Sequence, residues 1–288
     1  MNDYRVARGL WSLYEPIHAV TYFTPQARAA LEEVGLRGFW RGYFAGRAAP
    51  LGAVDEPVVT AVFSGFVPRM VARALPSVWQ LASPSTALRA RATGAAAAIR
   101  SVVSDADAAA VLDVLGRAVD GLPVAGRPLG AANASVPEPD DPIERLWQAT
   151  TTLREWRGDA HTAALVTHGV AGLDILVLRC ALDVDRGALQ PARGWTDEEW
   201  AASADGLRGR GLLAGDQVTP EGRALIRSVE QATDEASTLE DPHALARALR
   251  PIATACAALL PFPNPIGLGQ LWDPELDPGA EQVPPAGG

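Results

Sequence analysis

Between Arg154 and His161 the chain sets five ionisable side chains in eight positions: Arg154, Glu155, Arg157, Asp159 and His161. The stretch that follows is almost uncharged apart from His168, Asp174 and Arg179. On a helix, Glu155 and Asp159 fall four apart, as do Arg157 and His161. Two carboxylates then share one face, and an arginine neighbours a histidine on another. This arrangement suits acid–base chemistry, with His161 carrying the proton and Asp159 orienting it, or the binding of an anion. The alternative is a face of ordinary ion pairs, or a salt-bridged joint between two halves of the molecule. His168 lies two turns beyond His161, ~10.5 Å along the axis, too far for both rings to hold one ion.

A second cluster gathers Tyr22, Phe23, Trp40, Tyr43, Phe44 and Arg47 ahead of Ala48-Ala49-Pro50-Leu51-Gly52. Aromatic rings, glycine-rich backbone and one arginine suit a stacking pocket for a flat or anionic ligand. The rival reading is an aromatic mini-core with Arg41 and Arg47 reaching outward. His18, four residues before Tyr22, reads as a hydrogen-bonded helix-end residue, and His243 as a surface one. No metal-ligand spacing occurs, so no metal site is assigned. No cofactor is indicated either. A Ser-His-Asp triad lacks its Gly-x-Ser-x-Gly elbow, since Phe63-Ser64-Gly65-Phe66 has no leading glycine.

All 25 basic residues are arginine. Without lysine there is no Schiff base, no Walker A lysine and no kinase lysine. Gly-x-Gly-x-x-Gly, His-Glu-x-x-His and Cys-x-x-Cys are also missing. Cys180 and Cys256 sit in apolar helical stretches and read as inert core thiols. No run approaches the ~18 apolar residues of a spanning helix, and no signal peptide opens the chain, so a soluble, cytoplasmic protein is expected.

These residues must be positioned by helices. Helical spacing runs from Tyr4 to Ala19, from Pro25 to Gly35, from Val58 to Phe66, from Ser83-Pro84 to Val103 and from an Asp105 cap to Val119. Residues 121–142 hold five prolines and read as a linker. A long helix follows from Pro142 through Ala160 and on toward His168, with others at Leu173 to Leu182, Thr196 to Arg210, Pro220 to Leu239 and Pro242 to Leu260. Charge divides at the same place: residues 1–135 carry +3 and residues 136–288 carry −12, giving the net −9. The expected organisation is an N-terminal helical domain at 1–120, the linker at 121–142, a C-terminal domain at 143–260 and a Pro/Gly-rich, disordered tail at 261–288. The fold class is all-α (mostly helical) with one small β-hairpin, in two helical regions packed together.

That hairpin rests on a resemblance. A helix with Leu207, the phrase Arg210-Gly211-Leu212-Leu213, a short turn, and Thr219-Pro220-Glu221-Gly222-Arg223 resemble the end of a winged helix-turn-helix domain of the MarR family. The full chain is similar to helix-turn-helix proteins of actinobacteria through Tyr22-Phe23, Tyr43 to Gly52 and Arg154 to Leu165. The resemblance implies a dimer that reads DNA through the helix at Thr196–Arg210, with Thr196, Arg208, Arg210 and Arg223 as contacts. Charge opposes that. From Trp195 to Glu240 there are four arginines and ten acids, and DNA is held largely by neutralising its phosphates.

The expected function is therefore small-molecule binding on a winged-helix-like scaffold, in a pocket between the two halves lined by Tyr22, Tyr43, Arg47, Arg157, Asp159 and His161. The alternatives are a ligand-responsive, homodimeric transcription regulator that binds DNA, and an enzyme using His161 and Asp159. No membrane partner is expected.

Overall fold

Hydroxyl and carboxylate caps, most of them followed by proline, cut this chain into helices. The side chains of Thr24, Ser83, Ser104, Asp141, Thr196, Thr219 and Asp241 each accept a backbone N–H in the first turn of a helix. Such caps satisfy donors that have no partner within the helix, and proline suits the position that follows. The cap at residue 104 is Ser104 rather than Asp105, which is the first helical residue.

The computed structural model describes residues 4–261 and Leu271. The tail at 261–288 therefore lies almost wholly outside the described residues. Fourteen α-helices account for most of the described chain: α1 (Tyr4–Phe23), α2 (Pro25–Glu33), α3 (Phe39–Ala48), α4 (Glu56–Val62), α5 (Pro68–Ala72), α6 (Pro84–Ile99), α7 (Asp105–Val119), α8 (Pro128–Ala134), α9 (Pro142–Thr167), α10 (Leu173–Leu182), α11 (Arg186–Arg193), α12 (Asp197–Gly209), α13 (Pro220–Glu235) and α14 (Pro242–Ala257). One antiparallel hairpin, β1 (Leu213–Ala214) and β2 (Gln217–Val218), pairs Leu213 with Val218 and Ala214 with Gln217. The fold is all-α with a small hairpin. Among the described residues, no helix is long and apolar enough to cross a membrane.

The helices come in two copies. Gly38 and Gly172, 134 positions apart, each precede a ten-residue helix and take positive φ of 86° and 69°. Gly35 and Gly169 share that offset and also have positive φ. Leu36 N–H reaches Leu31 O at 3.0 Å, and Val170 N–H reaches Leu165 O at 3.0 Å, so both helix ends close by the same turn. After each copy's reading segment comes a hydroxyl-proline start and a 16-residue helix, α6 or α13. Then comes a last helix, α7 or α14. The first copy spells one long helix as α1 and α2, broken at Thr24-Pro25; the second runs unbroken as α9.

The copies are interlocked. α14 packs along α1 of the first copy, and α7 packs along α9 of the second. The largest core joins Leu10, Leu13, Ile17, Ile99 and Leu115 to Leu146, Trp147, Leu249 and Cys256. Smaller cores lie under α2–α6, around Phe44, Phe63 and Phe66, and under α10–α13, around Leu178, Leu207 and Val229. The proline-rich stretch 121–142, read as a linker, carries α8. That helix lies on α9 so closely that a Cβ on Gly130 would sit 2.8 Å from Trp156 Cα.

Two glycines test this packing with opposite signs. A Cβ on Gly94 would lie 2.7 Å from Ala27 Cα and 2.9 Å from Ala30 Cβ. Gly94→Ala is therefore expected to cost about 1–3 kcal/mol by forcing α2 and α6 apart. Gly116, inside α7, has nothing within 4 Å of its Cβ direction. Gly116→Ala is expected to add about 0.4–1 kcal/mol by restricting the unfolded chain. Urea unfolding of the two variants checks both, and shifts of the same sign would contradict this arrangement of α2 and α6.

Candidate functional site

Glu155, on α9, is only 1% exposed and is held by two arginines. Arg47, from the last turn of α3, donates Nε–H to Oε1 at 2.8 Å and Nη2–H to Oε2 at 3.0 Å. Arg154 donates to Oε2 at 3.0 Å and lies 3.5 Å from Glu15 of α1, which also accepts the Trp11 indole N–H. Burial would raise the Glu155 carboxyl, but Arg47 and Arg154 overcome it and hold it well below the usual carboxylate range. Burial pushes the Glu15 carboxyl up, and Arg154 offsets this only in part. The pair Arg47–Glu155 is forked and desolvated, the geometry in which such contacts are strongest.

Around this pair stand rings with hydroxyl or imidazole handles. Arg47 Nη1 donates to the Tyr43 hydroxyl at 3.1 Å, and the guanidinium lies 4.1 Å from the centre of the Phe63 ring. Tyr22 and Tyr43 rings are 5.1 Å apart. His18 bridges Tyr22 OH at 3.0 Å and Thr151 Oγ1 at 2.9 Å. Burial, then the nearby Arg154 cation, lowers its pKa well below the ordinary value, so the ring is neutral and donates through one nitrogen only. His18, Tyr22, Tyr43, Arg47 and Glu155, with Arg91 and Trp147, line a cavity whose rim includes Arg28, Glu32 and the exposed Phe39. Its enclosed volume is about 40 Å³, room for roughly three water-sized groups at the ~10–15 Å³ that one water needs.

Of the six residues expected to line a ligand pocket, Tyr22, Tyr43 and Arg47 do meet here. Arg157, Asp159 and His161 do not. Arg157 and His161 turn to α13, where Arg157 pairs with Asp234 and His161 meets Thr233 Oγ1 at 3.1 Å. Arg8 of α1 joins the same cluster through Glu230 and Asp234. Asp159 faces α8 instead and accepts Gly130 N–H at 2.8 Å. It therefore orients no histidine. Burial, then the cations Arg157, Arg8 and Arg179, pushes His161 down to about 3, far from the near-neutral value that suits a general base. The residues missed in the sequence are His18, Glu155 as Arg47's partner, Trp147 and Arg91. Arg91 had a signal: it falls four residues from both Ala87 and Ala95, on the buried side of an alanine-rich helix.

The second copy carries a helix-turn-helix arrangement with a hairpin. α11, a turn at 194–196 with Gly194 at φ 78°, and α12 form a helix-turn-helix, followed by the hairpin as wing. Thr196 caps α12 in a capping box with Glu199. The arginines expected at DNA are occupied by the protein's own acceptors. Arg208 pairs with Asp205 and Asp216, and Arg210 with Gly169 O and Asp174. Arg223 is exposed on α13. In the first copy the corresponding head is reduced to α4, a turn and the five-residue α5, with a 3-10 turn at Ser77–Gln80 in place of a wing.

The two turns pack on one another. Val67 N–H donates to Arg193 O at 3.1 Å, and Trp195 Nε1–H to Gly65 O at 3.0 Å. Arg69 Nη2 donates to Gly194 O and to Glu199 Oε2, both at 2.7 Å, while Nη1 reaches Glu199 Oε1 at 2.7 Å. A Cβ on Gly194 would come within 2.9 Å of Val67 Cγ1. The start of α12, which in a helix-turn-helix meets the base edges, is therefore tied to α5 at Glu199, while Thr196, Asp197 and Glu198 stay exposed.

Among the described residues, no three of His, Cys, Asp and Glu converge to hold a metal ion. The chain belongs to a helix-turn-helix family, whose model matches residues 7–263. No curated protein and no solved structure matches the chain.

The position of Asp159 has a pH signature. Burial raises its carboxyl from 3.8 to about 6 against the pull of Gly130 N–H. Between those values the folded chain keeps a proton that the unfolded chain has released. The stability this group contributes is thus full below about pH 4 and lost as pH rises through 6. Asp159→Asn keeps an acceptor for Gly130. Its melting midpoint is expected to match the parent near the lower value and to exceed it above the upper one. Equal midpoints across the range would contradict the buried placement.

Proposed function

We propose that this member of a helix-turn-helix family is a small-ligand-binding protein whose site is the cavity between α1, α3, α6 and α9. The observation that carries the reading is the forked Arg47–Glu155 pair, ringed by Tyr22, Tyr43 and His18 at the floor of a cavity that reaches the surface at Phe39. Stability alone gives little reason for such a group. A buried ion pair is seldom worth more than apolar residues of the same shape, whereas a pocket that must orient a ligand needs convergent polar groups on apolar walls. The enclosed part admits a ligand's head group, and its body would lie across the rim at Phe39.

DNA reading is not the primary role in this proposal. Paired heads of a helix-turn-helix dimer sit about 34 Å apart on one face of the duplex, while α5 and α12 touch. A second reading, a ligand-responsive regulator of the MarR kind, is favoured by one observation. Trp40, Arg41, Arg69 and Arg73 border an open cleft of about 290 Å³ beside Gly194, so cations from the first copy flank the acidic start of α12.

Two measurements separate these readings. Gly46 lines the cavity, and its Cβ direction meets nothing nearer than Arg91 Cβ at 3.8 Å. Gly46→Val is expected to fold and to abolish the rise in melting temperature that a binding metabolite gives the parent. A metabolite panel with no stabilising member, or one that stabilises both proteins equally, would overturn the proposal. In fluorescence anisotropy at low salt, short duplex DNA is expected not to saturate the protein. Saturation that Arg41→Ala with Arg73→Ala removes would establish the regulator reading.

A further inference from the structure

The inner wall of the cavity is a cation without an anion of its own. Arg91 of α6 is 5% exposed. Its Nη1 donates to Gly46 O at 2.9 Å, and its Nη2 to Asn133 Oδ1 at 2.9 Å and Gln148 Oε1 at 3.4 Å. Its Nε–H has no hydrogen-bond partner. The guanidinium lies 5.2 Å from the centre of the Trp147 ring. Its hydrogen-bond partners are all neutral, Glu155 acts on it without pairing directly, and among the described residues no carboxylate forms a salt bridge with it.

The surrounding charges do not supply one. Glu155 is committed to Arg47 and Arg154, and Glu15 to Arg154 and the Trp11 indole. At the rim Arg28 and Glu32 cancel each other. Three arginines, the buried Arg91 and the partly buried Arg47 and Arg154, thus face two buried carboxyl groups. Removing an unpaired guanidinium from water is costly, and a methionine or glutamine of similar length would avoid the cost. The surplus becomes useful when something anionic enters.

We infer that the cavity is a carboxylate site, in which a small monoanion pairs with the Nε edge of Arg91 and lays its apolar remainder against Trp147 and Tyr22. A carboxylate head is three heavy atoms, which suits an enclosed volume of about 40 Å³ at ~10–15 Å³ for each water-sized group. Its two oxygens match the guanidinium fork. One negative charge neutralises the surplus, while a phosphate dianion would over-correct it. The inference rests on the ligand-binding reading above and names the class of ligand.

Calorimetric titration at constant ionic strength, using the full chain, tests it with matched pairs: acetate against acetamide, propionate against propionamide, benzoate against benzamide, and inorganic phosphate alone. At least one carboxylate is expected to bind at least ~10-fold more tightly than its amide, with phosphate silent. Arg91→Gln is expected to erase that preference, and Arg91→Lys to restore part of it, with circular dichroism confirming that each variant folds. Should Arg91→Gln not fold, loss of the preference in Arg91→Lys relative to the parent serves the same purpose. Equal binding of amides and carboxylates would sink the charge argument and leave the ligand-binding reading standing. Carboxylate binding that Arg91→Gln leaves unchanged would do the same. No binding by any probe would overturn the carboxylate class.

Discussion

The exchange of last helices between the two copies is the constraint on which the rest of this molecule depends. Because α14 covers α1 and α7 covers α9, neither copy completes its largest core alone. The first helices, α1 and α9, are drawn together at the centre, and both carry arginines and carboxylates there. Those charges are largely withdrawn from solvent, and they pair with one another. Glu15, Arg154, Glu155 and Arg47 do so on one side of α9, and Arg8, Arg157, Asp234 and Glu230 on the other. Both clusters join α1 to α9, the first with Arg47 of α3 and the second with Glu230 and Asp234 of α13. Arg47 and Glu155, from the first cluster, line the cavity.

The same interlock brings the two turns into contact. In the first copy the reading segment has shrunk to α5, and its Arg69 neutralises Glu199 at the start of α12. Asp197 is likewise matched by Arg186. The acidic first turn of α12, hard to reconcile with a polyanion, is then understood as a docking surface for the chain's own arginines. The acidic turn was plain in the sequence, but Arg69, the partner of Glu199, lies 130 residues away and could not be read from local spacing.

How much was legible follows from range. Proline and hydroxyl caps act within one turn, and so the starts at Pro25, Pro84, Pro142, Pro220 and Pro242 were readable. So was the wing, through Arg210-Gly211-Leu212-Leu213 and Thr219-Pro220. Tyr43 and Arg47, four apart, share a face of α3, whereas Tyr22 lies on α1 and its approach to them is a long-range contact. Helical periodicity put Arg157 and His161 on one face correctly but could not say that α13 covers it. The duplication was present in Arg28-Ala29-Ala30-Leu31 through Gly35-Leu36 and Thr162-Ala163-Ala164-Leu165 through Gly169-Val170. With few identities, it becomes plain only when both glycines are seen closing the same helix end.

The proposed reading requires that α5 stay joined to the start of α12 through Arg69 and Glu199 whether or not a duplex is present. Pulsed electron–electron resonance between spin labels at Ala72, the end of α5, and Glu198, in the first turn of α12, tests this most directly. Both positions are exposed. The account predicts a single short, narrow distance that is the same with and without duplex DNA. A second population near the ~34 Å that separates neighbouring reading heads on DNA, appearing when duplex is added, would contradict it.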